Sequence, residues 1–340
     1  MSLKISEKEN FIFFIFLFSS MYIPDSKDLK IIEVLADQGK LSYAEIGHLV
    51  HLSKDRVKAR LMNLVDNKII LSFMPLINYN LLGYELFHVF IKFGSLVKKM
   101  DSFIQGLMNN GFIVSVTRVI GEFDFELQIL AKDTKELYSI INPLLLFVKK
   151  NVTRTTILNS LSYHIYTMQI KKSHKTYKPL TFPRLKIHRT LDKIDFQLLK
   201  KLSVNARESF VNLASSMKTS PENIRYRLKK LTESGLISSF HARTSKHALG
   251  LNTYIFLLDV FQELTQQDIR FLNILENVYY VKSCVGQWNV IINFYAKDND
   301  QLAKTLWIIR NNFKDKLNSY ELLILLNRYK FIPVPDRIHL

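Results

Sequence analysis

Arg56, Arg60 and Asn63 stand at i, i+4 and i+7 in a stretch whose apolar residues, Val57, Leu61 and Leu64, recur at helical spacing. That spacing predicts a helix that buries Val57, Leu61 and Leu64. The Arg56–Arg60–Asn63 stripe then runs along the edge of the apolar face, with Lys54 and Lys58 beyond it. The same arrangement returns at Asn223, Arg227 and Lys230, flanked by Arg225, Tyr226 and Lys229. The chemistry suits a helix lying in a major groove. Arg can take guanine through two hydrogen bonds, Asn can take adenine, and Lys meets phosphate. Basic residues on a helix also serve as a solvated face, and Arg60 and Arg227 could equally be scaffold. Two separate helices that carry cations at the same places favour binding.

The recurrence belongs to a longer repeat. Residues 25–83 align without a gap on 192–250, with Ser53 on Ser220, Arg60 on Arg227, Leu64 on Leu231 and Gly83 on Gly250. A second echo matches GEFDFELQILAKD (121–133) to GQWNVIINFYAKD (286–298). A period this long describes two copies of a two-part module, not a solenoid, whose period is about 20–50 residues. Two like halves on one chain suggest an internal pseudo-dimer and a function that uses two-fold symmetry.

Each copy opens with three helical patterns. Asp25 and Ser26 can cap the first, Ser42 and Glu45 form a capping box for the second, and Ser53 caps the third. In copy two the third helix starts Ser220-Pro221-Glu222: a cap, a proline at the first helical position and an acid in the first turn. A short strand follows, at Ile69–Leu71 and at Leu236–Ile237, giving a winged helix-turn-helix order. The remainder of each copy reads as strand, helix, strand, strand, helix, strand. Copy one has strands at 84–93, 112–120, 123–131 and 152–160, with helices at 97–109 and 133–149. Copy two has strands at 252–261, 278–285, 288–296 and 318–326, with helices at 265–277 and 298–313. This βαββαβ order is ferredoxin-like, and the sheet face away from the helices needs a partner. The second copy is the obvious one.

The expected organisation is therefore α+β. Residues 1–20 are an extension or a mis-set start, with Met21 as the alternative start. Winged helix-turn-helix units occupy 21–74 and 191–241, ferredoxin-like units 80–170 and 247–334, and a basic linker 171–190. That linker holds seven Lys or Arg and no acid, which suits either a solvated tether or a phosphate-contacting arm. The apolar run FIFFIFLF (11–18) is shorter than the about 20 residues a membrane helix needs, and no small-residue cleavage site follows it.

The chain has 340 residues, a net charge of +17 and a sequence pI near 9.7, which favours a polyanionic partner, either nucleic acid or an anionic membrane surface, with nucleic acid ahead; with the basic third helices the expected partner is double-stranded DNA and not a membrane. Hydrophobic content of 48% with 23% charged residues describes a folded protein. Cys284 is the single cysteine, so no intrachain disulfide forms, which suits a cytoplasmic protein. In its strand Cys284 reads as a buried, inert thiol. His48 and His51 straddle a turn and lack a third ligand, so no metal site is expected. Ser–His–Asp sets and glycine-rich phosphate loops are not evident, and no catalytic residue or cofactor is expected.

Each half resembles a full-length Lrp/AsnC-type (feast/famine) transcription regulator, a winged helix-turn-helix joined to a RAM domain. The residues that carry the resemblance are LDKIDFQLLKKL (191–202), SPENIRYRLKKLTESGLI (220–237) and GEFDFELQILAKD (121–133). It implies RAM domains that pair face to face and bind amino-acid-like effectors between protomers. The turn at Gly121, Glu122, Phe123 and Asp124 matches the family's effector segment, with Asp124 as an ammonium partner. Copy two keeps Gly286 but has Trp288 and Asn289, so its site would be weaker. The family works as dimers or larger rings, so the fused pseudo-dimer could self-associate further. Two other readings compete: an architectural DNA binder with little sequence preference, and an enzyme similar to the sirohaem decarboxylases, which share the two-part architecture. Against the latter, neither VTRVIGEFDFEL nor KSCVGQWNVIIN contains a histidine.

Overall fold

The computed structural model describes residues 22–95, 97–165, 180–181 and 191–338. The expected extension at 1–20 lies outside them, as does the linker apart from residues 180–181.

The first head consists of α1 (Ser26–Asp37), α2 (Tyr43–Val50) and α3 (Lys54–Asp66). Its caps are those expected. Asp25 accepts from the Lys27 and Asp28 N–H groups, Ser42 and Glu45 close a capping box, and Ser53 accepts from the Arg56 N–H. Strand β1 (Ile70–Ile77) leads into the first ferredoxin-like unit: β2 (Glu85–Phe93), α4 (Met100–Asn109), β3 (Ile113–Ile120), β4 (Phe125–Ala131), α5 (Thr134–Phe147) and β5 (Val152–Ile165). The two-residue strand β6 (Leu180–Thr181) pairs with the end of β5. Copy two repeats the order with α6 (Lys193–Val204), α7 (Phe210–Met217), α8 (Pro221–Glu233), β7 (Ile237–Thr244), β8 (Asn252–Val260), α9 (Gln266–Ile274), β9 (Val278–Val285), β10 (Val290–Ala296), α10 (Asn299–Phe313) and β11 (Leu317–Phe331).

The two sheets close on each other. Within copies the orders are β5-β2-β4-β3 and β11-β8-β10-β9, and the pairs β3–β11 and β5–β9 join them edge to edge into an antiparallel barrel. The fourth strands make this closure. The first part of β5 pairs with β2 up to Asn159, and the rest pairs with β9 to Ile165. Likewise β11 pairs with β8 up to Leu325 and with β3 to Phe331. Both strands therefore outrun the expected ends at 160 and 326, because their last turns of register serve the other copy. Helix α9 stops at Ile274, short of the expected 277.

Alternation along the strands separates the cores. Phe87, Val89, Phe125 and Leu127 face α4 and α5, while Phe256, Leu258, Ile292 and Phe294 face α9 and α10. Inside the barrel Phe90, Val119, Phe123 and Leu158 of copy one meet Ile255, Leu257, Trp288, Ile291 and Leu323 of copy two. Cys284 is buried there, and burial pushes its thiol up to about 12, so it is inert as expected.

The wing strands differ from expectation. β1 and β7 are eight-residue strands that pair with each other, forming an antiparallel ribbon between the copies rather than a wing within each head. Each head then packs on the opposite copy. Leu198, Leu202, Leu213 and Leu231 of head two share a core with Leu81, Tyr84, Val114 and Leu130 of copy one. Head one shares its core with Ala206 and Ala242, and partly buried Leu249 packs against it.

The barrel interior is polar on one side of the pseudo-axis. Buried His88 Nδ1 lies 2.8 Å from Glu126 Oε1, and Lys282 of copy two is also buried. Burial and the Lys282 charge pull His88 from 6.5 to about 4. Burial pushes Glu126 up, but the His88 hydrogen bond and the Lys282 and Arg328 charges outweigh it and hold the carboxyl at about 2. Both groups bind fewer protons folded than unfolded, so both stabilise the fold above their unfolded values. The His88 contribution is lost as pH falls from 6.5 towards 4, and the Glu126 contribution below that, from 4.5 towards 2. Replacing His88 by Leu should remove about one proton from the uptake on unfolding between these pH values, flattening the acid limb in denaturant titrations. An unchanged slope would mean that His88 is charged in the folded barrel.

Candidate nucleic-acid interface

Helices α3 and α8 each follow a turn whose α2 or α7 C-cap, His51 or Lys218, takes the left-handed conformation at φ 57° or 53°. Val57, Leu61 and Leu64 of α3 are buried, as are Ile224, Leu228 and Leu231 of α8, which turns the remaining faces outward. Lys54, Arg56, Lys58 and Asn63 are exposed on α3. Arg225, Tyr226, Lys229 and Lys230 are exposed on α8. Arg56 borders an open hollow lined by Gly47, His48, His51, Leu52 and Ser53, at the start of the helix.

Arg60, Arg227 and Asn223, expected to face a groove, are instead engaged within their own heads. Arg60 Nη1 donates to Asp25 and Asp28 at 2.8 and 2.9 Å, and Arg227 Nη1 donates to Asp192 and Asp195 at 2.6 and 2.7 Å. These carboxylates cap the first helix of each head, so each arginine ties its third helix to its first. Asp28 and Asp195 are buried, which makes the pairing structural. Asn223 Nδ2 donates to Thr219 Oγ1, and its Oδ1 accepts from Arg227 Nε. Its amide is used within the head instead of facing outward to a base.

A pair of cations missed by the sequence reading holds the heads together. Lys40 and Arg207 occupy equivalent positions after the first helices. The Arg207 guanidinium lies 5.2 Å from the ring centroids of both Tyr43 and Phe73 and donates to the Gly39 and Leu41 carbonyls. Lys40 Nζ lies over the equivalent rings, Phe210 at 5.1 Å and Phe240 at 4.8 Å. Backbone bonds obey the same symmetry, from the Gly39 N–H to the Phe240 carbonyl and from the Ala206 N–H to the Phe73 carbonyl. Two cation–π clamps and two reciprocal hydrogen bonds thus fix head against head through the ribbon. The available signal was a basic residue in both copies at positions the helical periodicity did not use.

The turns expected to bind an effector are packed. Phe123 and Trp288 are buried and meet edge to face at 5.7 Å across the pseudo-axis. Arg154 lies over both rings and bridges the two turns, donating to Glu122 and Gln287 at 2.6 Å each. Asp124 accepts from the Phe93 N–H at 2.7 Å, and the cation beside it is the chain's own Lys92 at 3.9 Å. Asn289 bonds the N–H and carbonyl of Val260 in the same way. Gly121 and Gly286, at φ 139° and 146°, let each turn press against the other copy's fourth strand. A Cβ at Gly286 would lie 2.9 Å from the Ile157 carbonyl oxygen, and one at Gly121 the same distance from that of Leu322. Asp124 and Asn289 are therefore strand-end caps, which corrects the expectation of an ammonium site.

A profile for the AsnC-type helix-turn-helix domain matches residues 25–65 and 191–232, one in each head. An uncharacterised HTH-type transcriptional regulator of Pyrococcus abyssi is 30% identical over 118 residues, which are 34% of this chain and 79% of that protein. A second from the same organism is 32% identical over 136 residues, 39% of this chain and 88% of that protein. The HTH-type transcriptional regulator Ptr1 of Methanocaldococcus jannaschii is 30% identical over 117 residues, 34% of this chain and 79% of Ptr1. These relatives are thus about as long as one copy. Among solved structures, the siroheme decarboxylase NirDL superposes with a TM-score of 0.59 at 13% identity, covering 91% of this chain and 94% of that one. At that identity the likeness is one of fold: it matches the whole two-copy architecture.

The ion pairs and the exposed cations should separate in mutagenesis. Replacing Arg227 by Ala leaves the buried Asp195 carboxylate unpaired and should cost about 2 kcal/mol of stability. Replacing exposed Arg56 by Ala should change stability by less than about 0.5 kcal/mol. Denaturant unfolding of the two variants reads the difference, and equal losses would contradict the division between scaffold and surface.

Proposed function

We propose, for a chain that belongs to the Lrp/AsnC family of helix-turn-helix transcription regulators as a tandem fusion of two copies, that it reads an imperfect two-fold DNA site. The observation that carries this is the pair of heads, clamped to each other through one ribbon, each presenting a third helix with a cationic outer face. In copy one the surface offered is Lys54, Arg56, Lys58 and Asn63. In copy two it is Arg225, Tyr226, Lys229 and Lys230. Arg56, Asn63 and Arg225 have the donor patterns for base edges, and the lysines suit phosphate. Two heads fixed by a common core address half-sites in register with the helical repeat, about 34 Å per turn. Because the two reading faces differ, the half-sites differ as well.

The same frame supplies a route for ligand control. An amino-acid-like effector bound between the RAM halves, outside the packed turns at 121–124 and 286–289, would act on the heads through the ribbon, since each head packs on the opposite copy. Further association of the pseudo-dimer would multiply the number of half-sites held. The chain acts as a DNA-binding protein rather than an enzyme, in keeping with the regulators it matches. No helix of the described residues is long and apolar enough to cross a membrane.

The test is selection of genome fragments by the purified protein at about 0.15 M salt, where nonspecific phosphate binding is suppressed. The expected result is enrichment of a short imperfect palindrome; uniform recovery would contradict sequence-specific reading and favour an architectural coat. On the enriched site, Arg225→Ala with Lys229→Ala should weaken binding. The slope of log affinity against log salt should become shallower by about 2 if both residues meet phosphate, and by less if Arg225 reads a base.

A further inference from the structure

The two crevices between ribbon and barrel are equivalent by the repeat but opposite in chemistry. At the copy-one crevice the ribbon presents Met74 and Leu76, and Tyr79, Tyr163 and Tyr280 gather behind it. Tyr163 and Tyr280 lie 5.8 Å apart, the Tyr163 hydroxyl donates to the Ile77 carbonyl, and Tyr79 interacts with both tyrosines. The five equivalent positions at the other crevice are His241, Arg243, Lys246, Arg328 and Ser115. An apolar, ring-filled wall has become a cationic one, and a tyrosine ring has been exchanged for a serine hydroxyl.

These cations converge. Phe240 and Ala242 of β7 pack against the core of head one, so the alternate residues His241 and Arg243 face the other way, towards the barrel. Arg243 and Arg328 both lie over Phe331, at 5.8 and 5.4 Å from its ring centroid. Lys246 Nζ lies 5.6 Å from the Tyr279 ring and 6.0 Å from that of Tyr295. Arg328 Nε reaches Thr117 Oγ1 at 3.4 Å, and Ser115 and Thr117 share a hydrogen bond beside it. His241 Nδ1 is buried with no hydrogen-bond partner. His241, Arg243, Lys246 and Arg328 are each half-buried, and Ser115 is fully buried beneath them.

Among the described residues the side chains that hydrogen-bond Lys246 and Arg243 are neutral: Lys246 Nζ donates to Thr244 Oγ1 at 2.7 Å and Arg243 Nε to Ser72 Oγ at 3.3 Å. Among the described residues no carboxylate is paired with Lys246 or Arg243, and the charge that acts on each is another cation, Arg328. Glu33 and Glu276 act on Tyr295, and Glu126 acts on Arg328 from inside the barrel, where it also faces His88 and Lys282. Burial and the Arg328 charge pull Lys246 from 10.5 to about 7, so its ammonium form is held only weakly without an anion beside it. Mutually repelling cations held in a crevice with hydroxyls and an unused imidazole nitrogen form a receptor for negative oxygen.

The geometry points to a binding site for a small oxyanion, the phosphate or carboxylate end of a metabolite, in the crevice formed by His241, Arg243, Lys246, Arg328 and Ser115. It lies at the junction of ribbon and barrel, on the ribbon face opposite to the one packed against the heads. Binding stands independently of the regulatory reading; only its consequence for DNA rests on that reading. Occupancy would draw β7 towards β11 and so bear on the head clamp.

The experiment is thermal unfolding of the full chain with inorganic phosphate or citrate as probes, against chloride at matched ionic strength. The expected result is a saturable rise of about 2 °C or more with at least one probe. The rise should be lost in Lys246→Met and in Arg243→Leu and kept in Arg225→Ala. A response to phosphate alone identifies a phosphoryl site, and one to citrate alone a carboxylate site. With no anion added, Lys246→Met should melt at or above the unsubstituted chain, because a repelled cation is gone. A rise matched by chloride, or one that survives both crevice substitutions, would overturn the assignment. So would a tenfold or greater loss of duplex DNA affinity in Lys246→Met in phosphate-free buffer, which would make the cluster a DNA contact.

Discussion

Everything in this molecule depends on the closure of two open sheets into one barrel. A four-stranded ferredoxin-like sheet covers one face with its helices and leaves an apolar face and two edges unsatisfied. Here each face covers the other, and the edges pair through β3–β11 and β5–β9. The long fourth strands belong to both sheets, so neither copy holds a complete sheet environment alone. The glycine turns at 121 and 286 exist because the closure brings each turn against the other copy's backbone. Phe123 and Trp288 fill the space where the two turns meet.

From that closure the placement of the heads follows. The barrel brings the starts of the two copies together, β1 and β7 pair, and each head then lies on the opposite copy. The Lys40 and Arg207 clamps occur at the ribbon because the pairing puts Phe73 and Phe240 beside the other head's first turn. Fusion adds a freedom that a symmetric dimer lacks. In a homodimer a residue near the axis meets its own copy, so a buried carboxylate there would face another carboxylate. In this chain His88 and Glu126 face Lys282, and the equivalents of those three residues are Ile255, Ile291 and Thr117. The same freedom allows one ribbon crevice to be filled with tyrosines and the other to be lined with cations.

The sequence made the element order, the helix caps and the burial of Val57, Leu61 and Leu64 legible, because capping and periodicity are local. What it left ambiguous was every choice that depends on the angle between elements. Arg60 reads as a groove-facing arginine from its own helix, yet it points back at Asp25 and Asp28 on the first. The repeat did hold that information, since the same two acids and one arginine return at Asp192, Asp195 and Arg227. The ends of β5 and β11 lie beyond those the sequence predicts for a related reason: the expected ends fall where pairing with the parent sheet stops, and the remainder finds its partners only once the other copy is present. Asp124 and Asn289 looked unlike each other as ligand groups. Both accept from the N–H at the end of the neighbouring strand, a task that carboxylate and amide share.

If ribbon and clamps set the spacing of the heads, α3 and α8 form one rigid unit in the free protein. Spin labels at Met62→Cys and Lys229→Cys, equivalent exposed positions on α3 and α8, in a Cys284→Ser background, report on that unit. Pulsed electron–electron distances measured on the free protein should give one narrow distribution, unchanged when the labels report on protein at different concentrations. A broad or multimodal distribution would contradict the account, since it would mean that neither ribbon nor clamp sets the spacing of the heads.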